Sequence, residues 1–231
     1  MRVEGAYMAP EHGFLSEQDE LLVHERCKWN EGFSFVAGID EAGRGCLAGP
    51  VVAAAVVFSD RKRIPAGLND SKKLSPKQRM CLREILLSDP SIWTAVAEVH
   101  APEIDASDIL RATWKAMASA LDSLPFAPDF VLVDGRPVKG LSKASQAIVK
   151  GDAKSASIAA ASILAKTHRD LWMERAAENY PEYAFEVHKG YGTELHLERL
   201  RRFGCCPLHR KSFAPVRQIL HPPVWIQGDL F

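Results

Sequence analysis

Residues 51–58, "VVAAAVVF", constrain this chain more than any other stretch. A strand with one wet face alternates apolar and polar side chains. This stretch carries no polar residue, so it is expected as a central strand of a sheet covered on both faces. The preceding stretch "FSFVAGID" (33–40) reads as a second strand, and Gly49-Pro50 lies between the two. A turn at that point predicts an antiparallel pair.

Further along, "IWTAVAEVH" (92–100), "DFVLVDG" (129–135) and "QAIVKGD" (146–152) read as strands. Helices are expected at 16–32, where Ser16 precedes acids and Gly32 closes the run, and within 68–87, where Ser75-Pro76 opens the helix. An amphipathic helix is expected over 105–124, with Ile109, Leu110, Thr113, Met117, Ala120 and Leu121 near helical spacing. A long helix is expected over 153–180, its first half Ala and Ser and so able to pack very close to whatever it covers. Further helical pieces reach about residue 220. The fold class is α/β: a mixed five-stranded sheet flanked by helices, with a helical C-terminal region.

The 231 residues, 47% of them hydrophobic, suffice for one sizeable core. Net charge is zero but unevenly spread. Residues 1–41 hold nine acids against three bases, whereas 199–217 hold Arg199, Arg201, Arg202, Arg210, Lys211 and Arg217 with no acid. That basic stretch is either a phosphate-facing patch or an ordinary solvated face. Five cysteines, an odd number with no CxxC, predict reduced thiols in a cytoplasmic protein. Cys205, Cys206 and His209 lack a second ligand pair, so zinc is not expected. The first residues lack a signal-peptide pattern, and no apolar run approaches the ~20 residues of a membrane span.

Three predicted strands end in acid: Asp40-Glu41, Asp134 and Asp152. If they run parallel, these ends share one sheet edge, where sites of open α/β sheets lie. Carboxylates gathered there repel one another unless cations neutralise them, and oxygen donors select hard ions such as Mg²⁺ or Mn²⁺. Two such ions ~4 Å apart hold a scissile phosphate and its attacking water. The alternative for each acid alone is a turn or helix cap. Gly43 and Gly45 strip side chains from the loop after the doublet, so its backbone can approach a ligand and read a ribose 2′-hydroxyl, while Arg44 meets a phosphate. Tyr191 stands between Gly190 and Gly192, which leave its ring accessible to stack on a sugar or base; the alternative is a core tyrosine with a bonded hydroxyl.

"GIDEAGRGCLAGPVVAAAVV", "NDSKKLS", "VDG", "KGDAKSASIAAASILAKTHRD", "HKGYGT" and "HRKSFAPV" occur in this order. Together they resemble ribonuclease HII, the bacterial type 2 ribonuclease H, over about residues 36–217. The resemblance implies a ribonuclease H-like fold and a monomer. It implies cleavage of the RNA strand of RNA–DNA hybrids, and cutting 5′ to single ribonucleotides embedded in duplex DNA. Two Mn²⁺ or Mg²⁺ ions would act, leaving 3′-hydroxyl and 5′-phosphate ends, with a role in removing ribonucleotides from DNA. It assigns Asp40, Glu41, Asp134 and Asp152 as the catalytic metal ligands. Gly43, Arg44 and Gly45 become the loop that contacts the 2′-hydroxyl. Tyr191 becomes the residue that stacks on the following deoxyribose, and Lys72 a phosphate contact. His168 replaces a non-ionisable residue of the family pattern and is read as a helix-surface residue. A phosphotransferase is disfavoured because no GxxxxGK[ST] loop is present, and a purely binding module would not need all four acids.

Four segments are expected: a tail and helix over 1–32, a catalytic core over 33–175, a helical region over 176–220, and a tail over 221–231. In that tail Gln227, Leu230 and Phe231 are similar to the short Q-x-x-L-F peptide with which bacterial replication proteins dock on the DNA sliding clamp.

Overall fold

A computed structural model describes residues 20–221. Five strands form one sheet in the order β3-β2-β1-β4-β5: β1 Val36–Ala42, β2 Val51–Phe58, β3 Ile92–Val99, β4 Phe130–Asp134 and β5 Ser145–Ile148. β2 is antiparallel to both neighbours, as the Gly49-Pro50 turn predicts for β1, whereas β4 and β5 extend the sheet in parallel. The described helices are α1 Val23–Asn30, α2 Pro76–Ser88, α3 Ala101–Ala106, α4 Ile109–Asp122, α5 Ala156–Asn179, α6 Phe185–His188, α7 Glu194–Phe203 and α8 Ala214–Leu220.

The unbroken apolar run of β2 is explained by its two buried faces. Val52, Ala54, Val56 and Phe58 enter the core under α5. Val51, Ala53, Ala55 and Val57 enter the opposite core with Ala112, Ala116, Met117, Ala120 and Leu121 of α4. The Ala/Ser half of α5 lies against the strands at backbone distance: a Cβ built on Gly38 of β1 would fall 2.2 Å from the carbonyl carbon of Ser157.

Local signals account for the helix starts. Ser75 caps α2 in a reciprocal box with Gln78, and Pro76 follows at the first helical position. The helix expected over 105–124 starts later, at Ile109, and residues 105–106 belong to the short helix α3 before it. Asp108 accepts the Arg111 N–H at 2.8 Å, which starts α4 and leaves α3 as a separate turn. The expected strand 146–152 also ends early: β5 stops at Ile148, Lys150 takes φ 57°, and Asp152 sits in a 3₁₀ turn, Gly151–Ala153. Asp152 is therefore brought in by a turn after the strand, not by the strand end.

α1 is held by a buried acid. Glu25 Oε1 accepts the Ser155 hydroxyl at 2.5 Å, the Ser157 N–H at 2.9 Å and the Ser157 hydroxyl at 2.7 Å, all at the start of α5. A carboxylate at a helix N-terminus meets free N–H groups and the positive end of the helix dipole. Glu25→Ala would leave these donors without an acceptor, and is expected to destabilise the protein by about 3 kcal/mol in a denaturant titration.

Candidate active site

The parallel register of β1 and β4 pairs Ile39 with Val133, which sets Asp134 level with Asp40 on the neighbouring strand. Asp40 is only 5% exposed, and its Oδ1 accepts the Glu41 N–H at 2.6 Å. Asp134 closes β4, and its Oδ1 accepts the Gly151 N–H at 2.7 Å. That bond draws the 3₁₀ turn, and with it Asp152, toward the same sheet edge. A Cβ on Gly151 would stand 2.7 Å from Ile158 Cδ1 and 3.3 Å from Asp134 Oδ1, so the approach needs glycine.

The charge balance at this edge is poor. Burial, followed by repulsion from Glu41 and Asp134, pushes the Asp40 carboxyl well above its usual range. Burial raises Glu41 as well, against the pull of Arg44. Asp152 is raised by burial and by Asp134 and Asp70. Two cations face the acids: Arg44 Nη1 lies 3.1 Å from Glu41 Oε1, and Lys72 Nζ lies 3.8 Å from Asp152 Oδ2. The Lys72 side chain is 83% exposed, free to swing toward a ligand.

Among the described residues no three acidic, histidine or cysteine side chains close into a ready coordination cage. Asp134 is turned to Gly151 and Glu41 to Arg44. The donor set fits a hard divalent ion: carboxylate oxygens only, partly desolvated, and carrying more negative charge than their neighbours offset. Among the described residues Cys205, Cys206 and His209 do not group into a set that could hold a metal ion.

The metal-free protein is therefore expected to gain stability when Asp40 becomes Asn. A carboxylate raised by the fold binds its proton more tightly folded than unfolded. Its favourable contribution is complete below the unfolded pKa and is lost as pH rises through the folded one. At neutral pH Asp40 thus opposes folding. Asp40→Asn should raise Tm in EDTA by about 2–6 °C, with the gain fading as pH falls. His196 and His209, held down to about 4 by burial, act with the opposite sign, so the quantity to measure is the difference between wild type and variant.

The Gly43-Arg44-Gly45 loop is supported from beneath by Arg169, which sequence reasoning did not single out, and by Arg210, which it read differently. Gly43 takes φ +89°, and a Cβ there would fall 2.0 Å from Arg169 Nε. Gly45 has nothing within 4 Å of such an atom, so only the first glycine is demanded by packing. Arg169 donates to the carbonyls of Pro50, Ala48 and Lys189 at 3.0, 3.0 and 2.8 Å. Arg210, grouped by sequence with a possible phosphate-facing patch, is fully buried and donates to Gly49 O at 3.0 Å and Arg44 O at 2.9 Å. No sequence pattern distinguishes such an arginine from its exposed neighbours.

Tyr191 is 41% exposed, with Lys166 Nζ 5.5 Å and Arg169 Cζ 5.6 Å from its ring centroid. Its flanking glycines serve packing. A Cβ on Gly190 would meet Ala48 O at 2.4 Å, and one on Gly192 would meet Leu47 Cδ1 at 3.1 Å. Leu47 N–H donates to Gly190 O at 2.8 Å, joining the tyrosine loop to the glycine loop. His168 is part-buried on α5, and its Nε2 lies 2.5 Å from Glu98 Oε1. Gln227, Leu230 and Phe231 lie outside the described residues.

A mixed sheet with buried carboxylates at its edge, beside a bare loop and an accessible aromatic ring, defines a metal-dependent hydrolase of the ribonuclease H type. The family model described as Ribonuclease HII matches residues 37–216. A ribonuclease HII of Chlamydia abortus is 51% identical over 212 residues, 92% of this chain and 97% of its own. The ribonuclease H2 of Pyrococcus horikoshii OT3 superposes with a TM-score of 0.67 at 30% identity, covering 80% of this chain and 96% of its own. The Archaeoglobus fulgidus RNase HII, solved in a PCNA:RNase HII complex, superposes at 0.65 with 29% identity over 78% of this chain and 95% of its own. The chain belongs to the ribonuclease HII family, and is an endonuclease for the RNA strand of RNA–DNA hybrids. No helix among the described residues is long and apolar enough to cross a membrane.

Proposed function

We propose that this enzyme also cuts 5′ to single ribonucleotides embedded in duplex DNA, leaving 3′-hydroxyl and 5′-phosphate ends, and so serves ribonucleotide removal from DNA. In this reading residues 33–175 are the catalytic core and 176–220 carry the tyrosine loop. Asp40, Glu41, Asp134 and Asp152 would hold two divalent ions, Mg²⁺ or Mn²⁺. When bound, such ions activate the attacking water and offset charge on the scissile phosphate and leaving oxygen. The single observation that carries the reading is the level pairing of buried Asp40 with Asp134 across parallel strands.

The remaining roles belong to the chain itself. The Gly43-Arg44-Gly45 backbone reads the ribose 2′-hydroxyl, and its support on Arg169 and Arg210 keeps it in one conformation for that task. Tyr191 stacks on the deoxyribose after the ribonucleotide. Lys72 shifts from Asp152 to a phosphate as substrate binds. A duplex with one ribonucleotide, incubated with and without Mg²⁺ or Mn²⁺ and mapped at nucleotide resolution, tests the whole. A metal-dependent cut 5′ to the ribonucleotide is expected; cutting 3′ to it, or cutting that persists in EDTA, refutes the reading.

The tail is proposed to dock on the sliding clamp through Gln227, Leu230 and Phe231. The archaeal relative solved with PCNA supports seeking such a partner. A peptide of residues 222–231 titrated against purified bacterial clamp should saturate. No saturation at high micromolar concentration removes the tail reading and leaves the nuclease reading intact.

A further inference from the structure

Three histidines lie buried behind the Tyr191 loop; among the described residues none is hydrogen-bonded to a carboxylate, and Glu186 acts on His188 only through its charge. His196 is 0%, His209 1% and His188 6% exposed. The His188 and His196 rings stack at 4.3 Å, and His209 follows at 5.2 Å from His196. Phe185 sets its ring edge-on to both His188 and His196, and Tyr183 packs on His209 at 4.9 Å.

The partners at the two ends of the row determine every proton in it. At one end the Cys206 backbone N–H, which can only donate, meets His209 Nδ1 at 3.0 Å. At the other the Tyr191 carbonyl, which can only accept, meets His196 Nδ1 at 2.9 Å. Between them His209 Nε2 faces His196 Nε2 at 3.1 Å. One assignment satisfies all three contacts: His209 carries its proton on Nε2 and donates to His196 Nε2, and His196 carries its proton on Nδ1 and donates to Tyr191. His188 is fixed in the same way, since Gly190 N–H donates to its Nδ1 at 3.1 Å and its Nε2–H donates to Tyr183 O at 2.9 Å.

We propose that His196 and His209, with His188 beside them, form a chain of neutral imidazoles with fixed tautomers. The chain positions the Tyr191 loop for its sugar contact, and this role rests on the stacking function proposed above for Tyr191. An extra proton on His196 would go to Nε2 and set N–H against N–H at the central contact, and one on His209 would go to Nδ1 and set N–H against the Cys206 N–H; either breaks the chain. Burial holds both histidines down to about 4 and lowers His188 too, consistent with a row that stays uncharged at neutral pH. The loop needs such an anchor because it is backbone-strained: Lys189 and Gly190 take φ 51° and 80° in succession. These are positioning residues; none of them contacts the acids or Tyr191's ring.

Nitrogen-15 spectra of the imidazoles in the wild-type protein at about pH 6, below the usual histidine midpoint, test the chain without altering it. His196 should appear as the neutral Nδ1–H tautomer, and His188 and His209 as neutral Nε2–H tautomers. A charged ring at either end of the central contact, or the reverse tautomer at His196, overturns the proposal. The positioning role is read from two variants: His196→Asn keeps an N–H near Nδ1, whereas His196→Gln offers its amide near Nε2. On the single-ribonucleotide duplex His196→Gln should raise KM about tenfold with kcat within about twofold, and His196→Asn should stay within about threefold of wild type. Equal effects of the two, or loss in kcat alone, would overturn positioning. Tyr191→Ala serves as reference. If it leaves KM unchanged the stacking function of Tyr191 fails, together with the sugar-contact role given to the chain, while the spectra separately decide the tautomers.

Discussion

Asp134→Asn should lower kcat by about three orders of magnitude, the scale of losing several kcal/mol of metal-borne charge stabilisation, while Kd for an RNA–DNA hybrid changes less than about threefold. The amide keeps the size of the side chain, and its oxygen still accepts the Gly151 N–H now bound at 2.7 Å, so the 3₁₀ turn bearing Asp152 stays in place. What is lost is a negative oxygen beside Asp40. Single-turnover cleavage and fluorescence anisotropy, run on the same hybrid, separate the two quantities. A variant that retains more than about a tenth of wild-type turnover would show that Asp134 is not a metal ligand; one that loses binding in step with turnover would place its role in substrate affinity.

Gly38→Ala should produce the largest loss of stability among single-methyl additions. The added carbon would lie 2.2 Å from the carbonyl carbon of Ser157 and 2.3 Å from the amide nitrogen of Ile158, both backbone atoms of the α5 N-terminal turn. No side-chain rotation relieves that clash; β1 and α5 must separate. Overpacking of this kind costs about 3 kcal/mol or more, which for a domain of this size lowers Tm by roughly 6–12 °C. Activity should fall as well, because β1 carries Asp40 two residues later and α5 begins just after Asp152. Gly45→Ala is the control for stability: nothing lies within 4 Å of its added carbon, and Tm should move by less than about 2 °C. Equal thermal shifts for the two variants would contradict the close approach of helix and strand.

The parts of the fold legible in sequence are those decided by local chemistry or by period. Eight apolar, mostly β-branched or small residues without alternation read as a strand buried on both sides, and β2 divides its side chains between two cores. Ser75-Pro76 starts a helix because its cap bonds are made within three residues. The errors arose where a partner distant in sequence decides. The expected helix starts at Asp105, whereas α4 starts at Ile109; Asp105 and Ala106 belong to the short helix α3, Ala101–Ala106, which the sequence reading does not anticipate. β5 stops at Ile148 because the chain must turn through Lys150 in a left-handed conformation to reach the edge near Asp134.

The site shows the same division. The acids stood out as charges at the ends of apolar stretches, and the resemblance assigned them to metal. Arg169, Arg210 and His196 did not stand out. A buried arginine that holds backbone carbonyls looks, in sequence, like one that holds phosphate. Their roles appear only once residues 44–50, 189–191 and 206–210 are brought together by hydrogen bonds such as Leu47 N–H to Gly190 O and Arg210 N–H to Leu47 O.

Anomalous diffraction from crystals of the enzyme with Mn²⁺ and an uncleavable hybrid tests the central claim most directly. Two peaks about 4 Å apart are expected, each within about 2.0–2.3 Å of carboxylate oxygens drawn from Asp40, Glu41, Asp134 and Asp152. Manganese bound elsewhere, or no manganese at this edge of the sheet while the hybrid is in place, would contradict it.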